Sequence, residues 1–184
     1  MTAAADPTPA DVVAFWREAG PKKWFLKDAA FDASIRERFA TLHARAARGE
    51  LDDWAETPEG ALALLLLLAQ FSRNLNRGSV RAFAQDERAR RIAQKAIEAG
   101  FDQKIDPAFR TFFYLPFTHS ESIGDQELCV RLSHHLPDRD SLRWARIHEQ
   151  IIRRFGRFPH RNKVLGRHTT PAEQAFLDGG GFSG

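Results

Sequence analysis

The sequence predicts a single all-α domain built from about eight helices. Three observations lead to this fold class: proline-marked helix starts, glycine-marked helix ends, and no segment with the alternating apolar and polar residues of a strand. The 184 residues, 43% of them hydrophobic, are enough to bury one sizeable core. The connections between the predicted helices are short, so we expect neighbouring helices to pack as antiparallel pairs.

Four helix starts are marked by a capping side chain directly before a proline. The pairs are Thr8-Pro9, Thr57-Pro58, Asp106-Pro107 and Thr170-Pro171. Proline suits the first helical position because its missing N–H would have no partner there, while the preceding side chain accepts a bond from a free N–H. Thr170 and Glu173 also have the spacing of a capping box.

The predicted helix ends coincide with glycines, which readily adopt the left-handed conformation that closes many helices. These glycines are Gly20, Gly49, Gly100 and Gly156. The helices predicted from starts and ends span residues 9–19, 29–48, 58–74, 81–99, 107–115, 122–136, 140–155 and 171–178. Residues 1–7 and 179–184 of the single domain 1–184 are expected to be frayed.

The segment Ala61–Ala69 is apolar on every face, which predicts the central, buried helix. This run is much shorter than the roughly 20 apolar residues that a membrane span needs. The first residues lack the basic start and apolar run of a secretory signal. The single cysteine, Cys129, cannot form an internal disulfide, as is typical of proteins in a reducing cytoplasm. We therefore expect a cytoplasmic protein with no membrane partner.

Positive charge is concentrated near the C-terminal end of the sequence. Between Arg143 and Arg167 there are eight arginines and lysines against one acid, Glu149, which gives +7 there and −4 elsewhere for a net charge of +3. This quarter of the chain is a candidate surface for an anionic partner.

The first group of candidate site residues is His119, Glu121, Asp125 and Glu127. These are side chains of metal-ligand type, but their spacing matches no defined metal site. Acidic residues at a helix start also complement the helix dipole, and we prefer this structural interpretation. The sequence therefore predicts no metal and no other cofactor.

The second candidate is a buried pair of Asp125 and His148. The core-facing line predicted for helix 122–136 contains Asp125, and the line predicted for helix 140–155 contains Trp144 and His148. Antiparallel packing of the two helices would bring the carboxylate and the imidazole together. The pair is either a satisfied core histidine, which we prefer, or a general base oriented by a carboxylate.

The third candidate is the basic loop that runs from Arg153 to Arg167. Guanidinium groups bind phosphate and carboxylate through paired hydrogen bonds, and His160, Arg161, Asn162 and Arg167 would line such a pocket. The alternative is that the arginines tie loop carbonyls and helix ends. Phenylalanines alternate with the cations here, but no recognition module for nucleic acid is present, so we do not expect a nucleic-acid partner.

The fourth candidate is the polar group Gln70, Arg73 and Asn74, which closes the central apolar helix. These side chains either satisfy the last carbonyls of that helix or face a cavity in the middle of the domain.

Three stretches resemble the signature blocks of the bacterial domain-of-unknown-function family 924. The first is Gln70-Phe-Ser-Arg73-Asn74 with Arg77-Gly78 and Arg81-Ala-Phe83. The second is Phe112-Phe-Tyr-Leu-Pro116-Phe-Thr-His119-Ser-Glu121 with Asp125-Gln-Glu127. The third is Arg154-Phe-Gly-Arg-Phe-Pro-His160-Arg-Asn162 with Leu165-Gly-Arg167. The resemblance runs from about Val12 to the end, although Ala69 and Ser72 replace the Asp and Pro that are common in the family.

The resemblance implies a helical fold similar to tetratricopeptide superhelices and no established activity. Such folds often bind peptides or partner proteins in a concave groove, so we expect a partner- or peptide-binding module. The alternative is an enzyme or small-anion binding protein that uses a pocket lined by His and Arg. A converging polar pocket would favour this alternative, and an open apolar groove would favour the module.

Overall fold

The fold was obtained as a computed structural model, which describes residues 6–183 and shows helices and no strand within that range. The α-helices are α1 Pro9–Ala19, α2 Pro21–Trp24, α3 Ala29–Arg48, α4 Pro58–Leu65, α5 Ser72–Leu75, α6 Asp86–Glu98, α7 Thr111–Thr118, α8 Ile123–Ser133, α9 Arg139–Phe155 and α10 Pro171–Asp178. Short 3-10 turns span Asp52–Glu56, Val80–Phe83, Asp102–Lys104, Pro107–Phe109 and Pro159–Arg161, and a π-helical segment spans Leu66–Phe71. The prediction of an all-α fold is confirmed.

The predicted capping residues cap their segments. Thr8 and Thr170 form capping boxes with Asp11 and Glu173, and the side chain of Thr57 accepts a hydrogen bond from the N–H of Gly60. The ends of α3 and α10 match the predicted bounds, whereas the predicted helix 81–99 is divided into a 3-10 turn and α6. The predicted helix 107–115 is likewise divided, because Asp106 caps only the 3-10 turn Pro107–Phe109 before α7 begins at Thr111.

The central helix is confirmed as the most buried element. It runs through α4, the π-helical segment and α5, and every residue of Ala61–Ala69 exposes at most 2% of its surface. A π-helical turn accommodates one residue more than an α-helical turn. The extra residue rotates the polar end of this helix relative to its leucine-rich start.

The main hydrophobic core is formed by aromatic rings from α1, α2, α3 and α7 around the central helix. Trp16 is the centre of this arrangement, with ring centroids 5.5 Å from Phe71, 5.8 Å from Phe112 and 6.2 Å from Trp24. The indole N–H of Trp24 donates to the carbonyl of Trp16 at 2.7 Å. Burial of these large rings supplies much of the free energy that stabilises the fold.

A smaller apolar cluster lies at the other end of the chain, where Ile151, Ile152 and Phe158 are buried. The partly buried rings of Phe155, Phe176 and Phe182 pack against these residues. Phe182 belongs to the segment 179–184 that we expected to be frayed, and its ring packs 4.5 Å from the ring of His148. The expectation of fraying for residues 1–5 and 184 lies outside the described residues.

The elements that carry the candidate residues pack side by side. Helix α8 packs against both α7 and α9, and α6 packs against α7 and the central helix. The inward line of α9 is Ala145, His148 and Ile152, and Trp144, predicted to face the core, is 42% exposed. The small side chain of Ala145, rather than the indole of Trp144, is buried in the main core. None of the described helices is long and apolar enough to cross a membrane.

Candidate functional site

Two histidines and one arginine, from α9 and from the turn that follows it, converge around the buried ring of Phe158. The imidazole rings of His148 and His160 lie 5.4 Å and 5.6 Å from its centroid, and the guanidinium carbon of Arg161 lies 4.5 Å from it. Arg161 also donates to the backbone carbonyl of His119 at 3.0 Å. We use the name His/Arg cluster for the set Arg73, His119, His148, His160 and Arg161.

The cluster is positioned by a short turn that follows α9. Gly156 ends α9 in the left-handed conformation, with φ of 69°, and the chain then enters the 3-10 turn Pro159–Arg161. The N–H of Phe158 donates to Glu121 at 2.8 Å, and Arg167 donates to the same carboxylate at 2.7 Å and 3.0 Å. Burial would raise the pKa of Glu121, but these hydrogen bonds hold it below its ordinary value. The ionised carboxylate therefore fixes the turn that presents His160 and Arg161.

Arg161 is the most unusual group of the cluster. Its side chain is only 8% exposed, and its Nε–H finds no hydrogen-bond acceptor within residues 6–183. Burial, reinforced by the positive charge of Arg73, lowers the pKa of Arg161 to about 10. A buried cation with a free donor is costly unless an anion completes its environment.

Arg73 and Arg161 share one carboxylate. Arg73 binds Asp86 through both terminal nitrogens, at 2.8 Å for the Nη2 contact, whereas Arg161 lies 3.9 Å from the same group. The ring of Phe83 lies under both guanidinium groups, 5.0 Å from Arg73 and 4.8 Å from Arg161. Asp86 is the one carboxylate of the described chain within 4 Å of either group, so the pair retains an excess positive charge.

The histidines of the cluster are neutral. Burial, together with nearby arginines, lowers the pKa of His160 to about 3 and holds the pKa of His119 well below its ordinary value. Burial also lowers the pKa of His148. The Nδ1 atoms of His119 and His160 are buried, and neither has a hydrogen-bond partner in the described part of the chain. The two imidazoles thus offer unused polar atoms next to Arg161 without adding charge.

The predicted buried pair of Asp125 and His148 is wrong. The carboxylate of Asp125 binds Arg90 at 2.9 Å and the hydroxyl of Ser120 at 2.6 Å. His148 instead bonds through Nδ1 to the carbonyl of Trp144 at 2.8 Å. The relative rotation of α8 and α9 directs the two groups to different neighbours, so the general base oriented by this carboxylate is not formed.

The carboxylates that suggested a metal site are each engaged by a different arginine. Glu121 binds Arg167, Asp125 binds Arg90, and Glu127 binds Arg153 at 2.7 Å. Across residues 6–183, no three His, Cys, Asp or Glu side chains lie where they could hold a metal ion together. These three carboxylates therefore form ion pairs within the protein, and the helix-dipole role expected for them stays a prediction.

Three of the six cations in the basic loop, Arg153, Arg157 and Arg167, are neutralised by carboxylates within the protein. Arg157 binds Glu173 at 2.6 Å and 2.8 Å and also the carbonyl of His168. Asn162 is fully buried, with its amide oxygen accepting from Arg167 at 3.0 Å. Arg154 and Lys163 are exposed and form no ion pair within residues 6–183. Arg161 differs from them because it is buried and still incompletely paired.

The polar end of the central helix bonds to other elements rather than to its own last carbonyls. Gln70 donates to the carbonyl of Trp24 at 3.0 Å, and Asn74 donates to the carboxylate of Asp32 at 2.7 Å. Only Arg73 of this group reaches the cluster. Gln70 and Asn74 therefore tie the central helix to α2 and α3.

Sequence reasoning missed three residues that shape the site: Phe83, Asp86 and Phe182. Phe83 ends the 3-10 turn before α6, and Asp86 is the first residue of α6, where an acid is an ordinary helix-start residue. The glycines before Phe182 led us to predict a frayed segment, so the contacts of its ring were not expected. The signal that could have found Asp86 was the need of a half-buried arginine such as Arg73 for a carboxylate partner.

Two open cavities of about 440 Å³ each lie outside the cluster. The first is a groove between α3 and the segment 75–85, with an alanine floor and a polar rim that includes Arg36, His43 and Arg81. The second lies between the end of α9 and the start of α10, beside the ion pair of Arg157 and Glu173.

Comparison with known proteins gives two matches. Residues 12–181 match the sequence model of a family described as "Bacterial protein of unknown function (DUF924)". The solved structure of a protein of unknown function, ATU0120 from Agrobacterium tumefaciens, is similar, with a TM-score of 0.90 and 49% sequence identity over 93% of this chain and 97% of that chain. No curated protein matches the chain. These similarities bring no activity with them.

Proposed function

The chain belongs to the bacterial family DUF924, and from the geometry of its site we propose that it binds a small ligand carrying a phosphate or carboxylate group at the His/Arg cluster. The observation that carries the proposal is the buried guanidinium of Arg161, which has an unpartnered Nε–H and shares one carboxylate with Arg73. An anion at this point would supply the missing acceptor and offset the excess positive charge.

The neutral histidines support a binding role for the same place. With pKa values below the ordinary range, His119 and His160 stay uncharged at pH 7, so each can donate or accept a hydrogen bond. Arg73 and Arg161 together carry one positive charge more than Asp86 offsets, and the neighbouring histidines add none. This charge suits a small ligand with one negative group rather than a highly charged polymer. A single buried cysteine, Cys129, supports a cytoplasmic location for this function.

The test is titration calorimetry with inorganic phosphate, sugar phosphates, nucleotides and dicarboxylates. An Arg161→Lys variant keeps the charge but loses the two-pronged hydrogen bonding, so we expect affinity to fall about tenfold, or about 1.4 kcal/mol. Arg157→Lys is the matched control, because Arg157 lies in the same loop and is already paired with Glu173. Equal losses in the two variants, or no binding of any of these anions to the wild-type protein, would refute the proposal.

A second candidate function is the binding of an extended acidic peptide in the groove between α3 and the segment 75–85. The groove has an alanine floor, and Arg36 and Arg81 on its rim form no ion pair within residues 6–183. This shape suits the peptide-binding role that tetratricopeptide-like helix pairs often have.

Fluorescence polarisation with labelled acidic peptides and their amide-substituted counterparts tests the groove. Ala44→Trp should fill the groove and abolish binding, while Ala33→Trp, on the exposed side of α3, should leave it intact. Binding that ignores peptide charge, or that survives Ala44→Trp, would exclude the groove as the peptide site.

A further inference from the structure

The ring of Phe182 fills a slot made by three other rings. Its centroid lies 4.5 Å from His148, 5.0 Å from His160 and 5.9 Å from Trp144, and the two imidazoles meet it edge to face. Edge-to-face packing at these distances is the favoured arrangement of aromatic pairs. The neutral imidazoles of His148 and His160 therefore act here as walls of an aromatic slot.

The slot adjoins the place where we propose that an anion binds. His160 forms one wall of the slot and is the chain neighbour of Arg161, and the ring of Phe158 contacts His148, His160 and Arg161 together. A ring in the slot and a charged group at Arg161 would therefore lie on either side of His160.

The segment that carries Phe182 is attached loosely beyond its glycines. The N–H of Gly180 donates to Leu177 at 3.2 Å, and that of Gly181 donates to Phe176 at 3.0 Å. In the described part of the chain, Phe182 and Ser183 make no hydrogen bond, so ring contacts alone hold Phe182 in the slot. Gly180 has φ of +77°, a conformation that side chains rarely adopt, and this turn directs Phe182 back onto α9.

We infer that this slot is the subsite for an aromatic ring of the ligand, and that Phe182 occupies it in the ligand's place. The inference rests on the proposed function and narrows its ligand class to an aromatic ring that carries a phosphate or carboxylate. The ligand's ring replaces Phe182 between His148 and His160, and its charged group meets Arg161. While Phe182 occupies the slot, the ligand's ring cannot enter it. The apparent affinity for the ligand is therefore the intrinsic affinity multiplied by the fraction of molecules in which the slot is open.

The experiment compares phenyl phosphate with inorganic phosphate by titration calorimetry on the full chain. Phe182→Ala opens the slot, so we expect the Kd of phenyl phosphate to fall about tenfold while that of inorganic phosphate changes less than about twofold. Phe155→Ala is the matched control, since this half-buried ring packs on Phe176 and not on the slot histidines. Phe182→Leu should give an intermediate gain for phenyl phosphate, because its side chain fills the slot without a ring.

The outcomes separate this inference from the proposed function. If inorganic phosphate binds in an Arg161-dependent way but phenyl phosphate gains nothing in Phe182→Ala and Phe182→Leu, the aromatic subsite is overturned and the anion site stands. If neither phosphate binds the wild-type protein or Phe182→Ala, the proposed function itself fails. If Phe182→Ala unfolds, equal phenyl phosphate affinity in Phe182→Leu and the wild-type protein overturns the subsite.

Discussion

The two aromatic regions of the molecule use similar rings with different neighbours. In the main core, Trp16 packs against Phe71 and Phe112, and the surroundings are leucines and alanines. In the smaller cluster, Phe158 packs against two histidines and the guanidinium of Arg161. Rings surrounded by apolar groups stabilise the fold, whereas rings that surround polar groups shield those groups from water and strengthen their electrostatic interactions. Aromatic content alone therefore does not tell a core from a binding site.

The largest expected effect concerns the main core. Leu66→Ala removes a fully buried side chain from the central helix and should lower the free energy of unfolding by about 2 to 5 kcal/mol. Urea denaturation followed by circular dichroism measures the change. Val80→Ala, at a position 54% exposed, is the control and should change stability by less than about 0.5 kcal/mol. A loss below about 1 kcal/mol for Leu66→Ala would show that this helix contributes less than its burial indicates.

Acid should destabilise the protein mainly through the histidines of the His/Arg cluster, with a further contribution from His43, whose pKa is also lowered by burial. The pKa values of His119, His148 and His160 are lowered in the folded state, so below about pH 6.5 the unfolded chain binds protons that the folded chain excludes. Stability is then present above the unfolded pKa and is lost as the pH falls towards the folded pKa. Between pH 7 and pH 5 we expect a loss on the order of 2 kcal/mol for each histidine kept fully neutral, and His119 and His160 have the largest shifts.

Two variants assign that acid sensitivity to the cluster. His148→Phe keeps a ring in the slot and should make the dependence of unfolding free energy on pH between 5 and 7 less steep, while the contributions of His119 and His160 remain. His135→Gln changes an exposed histidine and should leave the dependence as it is. An unchanged slope in His148→Phe would place the acid sensitivity outside this histidine.

A smaller effect is expected at the carboxylate that holds the turn of the cluster. Glu121→Gln weakens the bonds to Arg167 and to the N–H of Phe158 and should cost about 1 to 2 kcal/mol in thermal or urea unfolding. Glu127→Gln is the matched change at an exposed pair with Arg153, where we expect less than about 0.5 kcal/mol. Similar costs for both variants would mean that Glu121 is no more than a surface ion-pair partner.

The fold was largely predictable because its signals are local. The caps at Thr8, Thr57 and Thr170 depend on residues within one turn, and the apolar run Ala61–Ala69 depends only on composition. The division of the predicted helix 81–99 was not predictable in this way. The start of α6 is fixed by Arg73, which lies on α5. Its guanidinium binds both the carboxylate of Asp86 and the backbone carbonyl of Ala82.

The site was predictable only in its residue types. His160 and Arg161 were identified as candidates from charge and chemistry, and they do lie together. Their partners could not be read from the sequence, because Asp86 and Phe182 lie far along the chain and reach them through helix packing. The pairing of Asp125 with His148 failed for the same reason, since the rotation of a helix about its axis decides which neighbour a side chain meets.

The π-helical segment Leu66–Phe71 has a consequence for how this sequence tolerates change. Successive residues of an α-helix are about 100° apart around its axis, so one extra residue rotates every residue after it by that angle. The direction in which Arg73 points is therefore set separately from the direction in which the preceding leucines point. The leucine-rich half and the polar half of the central helix thus face their neighbours at angles that are set on either side of the π-helical segment. Substitutions that adjust packing in the first half can accumulate without turning Arg73 away from Asp86, whereas the loss of a single residue between the halves would rotate it away.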